Sequence, residues 1–360
     1  MSNEIQKKPI ASFDEVRLLI DELPGPDYES QKSVAERESK LTKPEGALGK
    51  LEQIVDWLAA WQGEYPPKIN HPRTAVFAAN HGVAELGVSA FPSSVTEQMV
   101  QNFISGGAAV NQLCKVFDSD LRVYELALEQ PTNDFTKGPA MTEAECAHAM
   151  AYGMMAVEPG LDVLCLGEMG IGNTTSASAL SLALFGGNAK DWVGNGTGIS
   201  SDALDKKIKI VQQSCEIHKN KEGDPLAVFA ALGGLELAAI AGAILAARLA
   251  RVPVVLDGFA CTVAAAILYA IKPCTINHCL VSHCSVEPGH KKLLGKINKD
   301  PLLDLGMRLG EGSGATLALG IIRAALECHL GMATFESAGV STHPTTQITK
   351  QLFEGRKKIS

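Results

Sequence analysis

A glutamate stands inside a run of glycines at Gly310-Glu311-Gly312-Ser313-Gly314, between LLDLGMRL and the apolar stretch ATLALGIIRAAL. Glycines allow φ > 0 turns and leave the backbone open to a ligand. The periodic segment that follows reads as a helix, so free backbone N–H groups point at whatever binds there. A carboxylate in that setting is either a reactive group presented to a small molecule or a residue that merely complements the helix dipole. The loop alone leaves both readings open.

Other loops carry polar groups in similar settings. GEMGIGNTTSASAL (Gly167–Leu180) leaves a strand and opens a helix, with Gly170 and Gly172 permitting close backbone approach and flanked by Glu168 and Asn173. It lacks the Gly-Lys-Ser/Thr of a Walker A loop, and its glycine spacing misses G-x-G-x-x-G, which argues against a nicotinamide dehydrogenase. VGNGTGISSDALDKKIKI (Val193–Ile210) is a second glycine-rich entry to a helix, supplying Lys206, Lys207 and Lys209. A lysine near such a loop suits a phosphate, although a solvated basic face would look the same. SHCSVEPGHKK (Ser282–Lys292) offers Ser285, Glu287 and His290, without a nucleophile elbow or Ser-His-Asp order. Cys274, His278, Cys279, His283 and Cys284 resemble a zinc site in content. Read as a strand, however, the segment puts Cys279 and His283 on one face and His278 and Cys284 on the other, so no metal is expected.

These loops need a frame. Five apolar runs read as strands buried on both faces: Ala75–Ala79, Leu121–Leu126, Leu161–Leu166, Pro253–Leu256 and His278–Val281. Helix-period segments lie between most of them, including Val95–Phe103, Ala177–Leu184, Leu235–Leu249 and Cys261–Ile271. Apolar strands alternating with helices imply βαβ units and a parallel sheet. Strand after strand ends in a polar loop, at Asn80-His81-Gly82, Gly167–Gly170, Asp257-Gly258 and Ser282-His283. Ligands of open parallel sheets bind at the carboxyl ends of the strands, so these loops are expected to build one site. The more charged first 70 residues end at Pro66-Pro67, and a polar tail follows Met332.

With 40 acidic against 32 basic residues the net charge is -8, and no basic patch suggests nucleic acid as a partner. The N-terminus lacks the apolar core of a signal peptide. Leu235–Leu249 is too short and too rich in small residues for a membrane span. Nine cysteines without a CxxC pair suit reduced thiols and a cytoplasmic location.

Taken in order, SKLTKPEGALGKLE, NHGVAELGVSAFPSSVTEQMVQNFISGGAAVN, GEMGIGNTT, GNGTGIS, VVLDGF, SHCSVEPGH and LLDLGMRLGEGSGA resemble the nicotinate-nucleotide–dimethylbenzimidazole phosphoribosyltransferases, the CobT family. The resemblance spans Leu41 to Phe335. It implies transfer of a 5-phosphoribosyl group from nicotinate mononucleotide to 5,6-dimethylbenzimidazole with inversion, giving nicotinate and α-ribazole 5′-phosphate for the lower ligand of cobalamin. The implied fold class is α/β, with a parallel-sheet Rossmann-like large domain (71–332) and a small helical domain formed by the chain termini (1–70 plus 333–360). A homodimer without cofactor or metal is implied. Matched motif by motif, Glu311 is the general base and Glu168 a second acidic residue. Gly170, Gly196, Lys207 and Ser285 would hold phosphate and ribose, with Gln98, Leu309 and Gly310 at the acceptor base. Asn80 departs from the pattern, where an aspartate commonly precedes His-Gly, and Ala47 stands where serine is usual. Two alternatives stay open: the same reaction with a different acceptor base, or a non-catalytic nucleotide-binding protein.

Overall fold

The structure, a computed structural model, describes residues 11–341; the readings made over the first ten residues and over the tail beyond 341 fall outside the described residues. Its strands are β1 (Pro72–Ala78), β2 (Asp120–Glu125), β3 (Val163–Met169), β4 (Val254–Leu256), β5 (Cys279–His283) and β6 (Pro301–Leu303). Its α-helices are α1 (Phe13–Asp21), α2 (Tyr28–Glu38), α3 (Lys50–Gln62), α4 (Ser94–Ile104), α5 (Ala109–Val116), α6 (Glu143–Met154) and α7 (Asn173–Phe185). They continue with α8 (Ser201–Ile217), α9 (Pro225–Leu232), α10 (Leu235–Leu249), α11 (Phe259–Ile271), α12 (Pro288–Lys296) and α13 (Ser313–Gly331).

All six strands form one parallel sheet in the order β2-β1-β3-β4-β5-β6. The chain runs from β1 outward to β2 and then returns to β3 on the other side of β1, so the direction of winding reverses between β1 and β3. That reversal opens a crevice at the carboxyl ends of the strands. Register brings those ends together: Phe77 faces Glu168, Leu166 faces Leu256, and Leu256 faces Val281.

β1 is buried at every residue, and β3 at all but Met169, because helices cover both faces of the sheet interior. β2 corrects the expectation of double burial. It is the edge strand, and Asp120, Arg122 and Glu125 share it with half-buried Leu121 and Val123. β6 was not anticipated; its three residues, all half-buried, carry no run long enough to read. Pro253 and His278 precede their strands instead of starting them.

The described residues divide into two compact units. One comprises those within Met1–Pro26 and Ile69–Gly320, and the other those within Asp27–Lys68 and Ile321–Ser360. This division differs from the expected 1–70 plus 333–360 at two places. α1 groups with the sheet because Phe13, Val16, Leu19 and Ile20 bury themselves in the sheet unit's core. The last turns of α13 group with the terminal segments. There Arg37 donates to the carbonyl oxygens of His329 and Leu330 at 2.7 and 2.6 Å, satisfying helix-end acceptors that have no intrahelical partner. Within the same unit Lys43 bridges Glu38 and Glu52 at 2.8 and 2.7 Å.

Candidate active site

A cleft of about 240 Å³ opens at the carboxyl ends of β3, β4 and β5. Its floor begins at the end of β3. Glu168 is buried there and accepts a hydrogen bond from the Asn173 amide at the start of α7. A side chain on Gly170 would fall 2.7 Å from the Ala79 carbonyl, so only glycine lets the chain turn here against β1. Gly172, at φ +99°, is the N-cap of α7 and leaves that helix N-terminus open to the cleft.

Opposite lies the turn before α13. Gly310, Glu311 and Gly312 take φ of +82°, +64° and +76°, three successive residues in the left-handed region. For the glutamate this conformation costs on the order of 1–2 kcal/mol, so the surroundings must hold it. They do so from two strands. The Glu311 N–H donates to the Glu168 carbonyl at 3.1 Å. The Asp257 carboxylate, at the end of β4, accepts from Gly312 N at 3.0 Å, Gly314 N at 2.7 Å and Ala315 N at 3.1 Å. Gly167 of β3 lies directly beneath, where an added Cβ would be 2.2 Å from Gly312 N.

Burial and then the charge of Asp257 push the Glu311 carboxyl up to about 7. Burial also drives Glu168 well above the usual carboxylate range, with Asp257, Glu236 and Glu311 adding to it. Glu168, Glu311, Asp257 and Glu236 are thus a group of neighbouring carboxyls that resist ionising together.

The third wall follows β5. Ser285 N donates to His290 Nδ1 at 2.9 Å, and His290 Nε2 meets Thr262 Oγ1 at 3.0 Å. Burial lowers His290 to about 3, so the ring is neutral and structural. Glu287 accepts from Gly196 N at 2.9 Å and so ties the glycine loop before α8 to β5. Lys207 of α8 is fully buried and donates to Thr174 Oγ1 at 2.8 Å and the Gly194 carbonyl at 3.2 Å. Burial lowers it to about 8, partly offset by Glu287. A Cβ on Gly196 would sit 3.3 Å from its Nζ, so glycine leaves the ammonium just behind the cleft wall.

A sequence profile of the phosphoribosyltransferase family matches residues 23–340. Over 329 residues, 91% of this chain and 97% of the relative, the sequence is 57% identical to the nicotinate-nucleotide–dimethylbenzimidazole phosphoribosyltransferase of Brucella anthropi. The chain belongs to this phosphoribosyltransferase family. The corresponding protein of Allorhizobium ampelinum is 55% identical over 333 residues, 92% of this chain and 98% of that one. The crystal structure of the Thermus thermophilus phosphoribosyltransferase superposes with a TM-score of 0.82 at 39% identity, covering 88% of this chain and all of the other. A second structure, of Thermus thermophilus CobT, gives 0.82 at 40% identity.

Of the residues that the family resemblance singles out, Glu168, Gly170, Gly196, Ser285, Leu309 and Gly310 line the cleft. Glu311 follows Gly310 directly, and Lys207 stands behind Gly196. Gln98 lies on α4, which buries Thr96, Val100 and Phe103; it is exposed and is not among the residues that line this cleft. Three features of this phosphoribosyltransferase escaped the sequence. Asp257 was seen only as a polar strand end. Glu236 stands in the first turn of the otherwise apolar α10 and meets His81 at 2.6 Å, with both side chains fully buried beneath Gly170. Arg308 lines the cleft and donates to the Gly196 carbonyl at 3.1 Å. Among the described residues no cluster of His, Cys, Asp and Glu could hold a metal ion, and no helix is long and apolar enough to cross a membrane.

Proposed function

We propose that this chain moves the 5-phosphoribosyl group of nicotinate mononucleotide to 5,6-dimethylbenzimidazole, inverting the anomeric carbon and releasing nicotinate and α-ribazole 5′-phosphate. The C1′–pyridinium bond breaks and its electron pair returns to the nicotinate ring, so the leaving group needs no acid. The lone pair of one benzimidazole nitrogen forms the new bond to C1′. The proton on the other nitrogen must then be lost, and Glu311 accepts it. A base with a pKa near the working pH balances readiness to accept against the fraction ionised, and about 7 meets that demand.

Glu168 serves a different purpose. Burial and the neighbouring carboxyls raise its affinity for a proton. The cationic ring of the nucleotide, and then the positive charge that develops on the ribose, favour its carboxylate form. The N-terminus of α7, with Gly170, Lys207 and Ser285 around it, holds the phosphate and fixes the sugar for attack. The observation that carries this reading is the Glu311 carboxyl, held in a left-handed turn at the cleft with its ionisation brought to neutrality. The reading also takes the protein as a cytoplasmic homodimer, which light scattering and cell fractionation test.

The test is nicotinate release from nicotinate mononucleotide, with and without 5,6-dimethylbenzimidazole, for wild type and Glu311→Gln side by side. Release is expected to depend on the acceptor and to fall by orders of magnitude in the variant, which should still bind nucleotide. A variant with near-normal turnover removes Glu311 as the base. No release from wild type despite nucleotide binding points to another acceptor or to a binding protein.

A further inference from the structure

We propose that Asp257 is a positioning residue for Glu311, one whose buried carboxylate anchors the left-handed turn and sets a like charge beside the glutamate. This rests on the reading of Glu311 as the base. The anchoring follows from the hydrogen-bond inventory. Asp257 Oδ1 accepts from Gly314 N and Ala315 N, and Oδ2 accepts from Gly312 N, at 2.7, 3.1 and 3.0 Å. These are orphan N–H groups at the start of α13 and its preceding turn, satisfied by a side chain from a strand 55 residues earlier. Burial raises the affinity of Asp257 for a proton while His283 and these backbone donors lower it, and three donors with no acceptor match the ionised carboxylate, which is the form the hydrogen bonds select. His283 adds a fourth favourable group, with Nδ1 at 3.7 Å from Oδ1. The Ser282 hydroxyl donates to the Asp257 carbonyl at 3.3 Å and lies 2.9 Å from His283 Nδ1, which links β5 to the same strand end.

The second role follows from what else faces the turn. Its titratable and charged neighbours are Glu168 from β3, Asp257 from β4, His283 from β5 and Arg308 from the preceding loop. Of these, Asp257 is fully buried and bonded to the residue next to Glu311. A like charge so placed disfavours ionisation of the glutamate. It is the charge that acts with burial to bring Glu311 to about 7. One aspartate thus fixes where the base points and how strongly it holds its proton.

The experiment uses the full chain with Asp257→Asn and Asp257→Ala beside wild type and Glu311→Gln. Acceptor-dependent nicotinate release is followed from pH 5 to 9, and hydrogen–deuterium exchange is measured on the segment containing Gly312–Ala315. Wild-type release that collapses in Glu311→Gln establishes the reading beneath the proposal; its absence condemns that reading alone. In Asp257→Asn, which keeps volume and burial, the rising limb of kcat against pH should move down by about one unit as the like charge is removed. In Asp257→Ala, exchange at the start of α13 should accelerate at least about tenfold, and kcat should fall on the order of 100-fold as the turn loosens. A wild-type midpoint in Asp257→Asn overturns the tuning role, and wild-type exchange in Asp257→Ala overturns the anchoring role. Should neither variant fold, exchange in wild type decides the anchor: unprotected amides at Gly312 and Gly314 refute it.

Discussion

Gly167→Ala is the sharpest test of how the catalytic turn is supported. The glycine lies in β3, hydrogen-bonded on both sides, and the new methyl would be 2.2 Å from Gly312 N, 2.4 Å from Gly312 Cα and 2.7 Å from the Glu311 carbonyl carbon. Ordinary contact begins at 3.4 Å, so relief requires a displacement of about an ångström. All three obstructing atoms are backbone, and no side-chain rotation removes the overlap. A central strand gives less readily than a turn, so Glu311 and Gly312 should lift away from β3 and strain the bonds to Glu168 and Asp257. Overpacking of this kind costs about 1–3 kcal/mol, a fall of a few degrees in Tm for a chain of this size. A shift of about 1 Å at a reacting group costs on the order of 100-fold in rate. The loops proposed to hold the phosphate are not touched, so nucleotide affinity should change much less than kcat. Nicotinate release at saturating acceptor, a thermal melt by circular dichroism and nucleotide titration read all three quantities. A folded variant with kcat within twofold of wild type would refute the claim that this backbone contact positions the base.

Other outcomes follow from the same site. Lys207→Ala should chiefly raise KM for nicotinate mononucleotide, by roughly 10- to 100-fold if one charge-assisted contact is lost, and an unchanged KM would show that another residue, such as Arg308, holds the phosphate. Stability should respond to pH through Glu311. Its pKa in the fold, about 7, lies above its value in the unfolded chain, near 4.5, so the stability it permits is full below 4.5 and is lost as pH rises through 7. Glu311→Gln lacks that loss. The Tm of the variant minus that of wild type should therefore widen from pH 4.5 to 7 and stay level above it; a difference independent of pH contradicts the raised pKa.

Particular residues show where the sequence was legible. β1 and β3 could be read because they are buried on both faces, which demands continuous apolar runs such as VFAA and VLCL. α10 matched its expected limits because Gly233-Gly234 and the end of the apolar period bound it. β2 misled because Leu121 and Val123 give an edge strand the look of a central one, and β6 has too few residues for any period. Glycine runs beside acidic residues marked the turns at Glu168 and Glu311, since left-handed or tightly packed backbone restricts the choice of residue. The role of Asp257 was out of reach because its partners are contributed by α13, and only packing reveals the distance between them. His81 and Glu236, 155 residues apart, met in the core for the same reason. Gln98 rests on resemblance alone, and its exposed place on α4 offers no packing signal for a role.

The turn that carries Glu311 rests on Gly167 and hangs from Asp257, yet it comes late in the chain, after all six strands. During synthesis, the loops at Gly170, Gly196, Lys207 and Ser285 have most of their supporting strands before that turn emerges to dock. Parallel sheets with such distant contacts form slowly. On the proposed reading, a chain still being made has a place for the nucleotide before it has its base, and chains stalled just short of Gly310 should bind nucleotide without converting it.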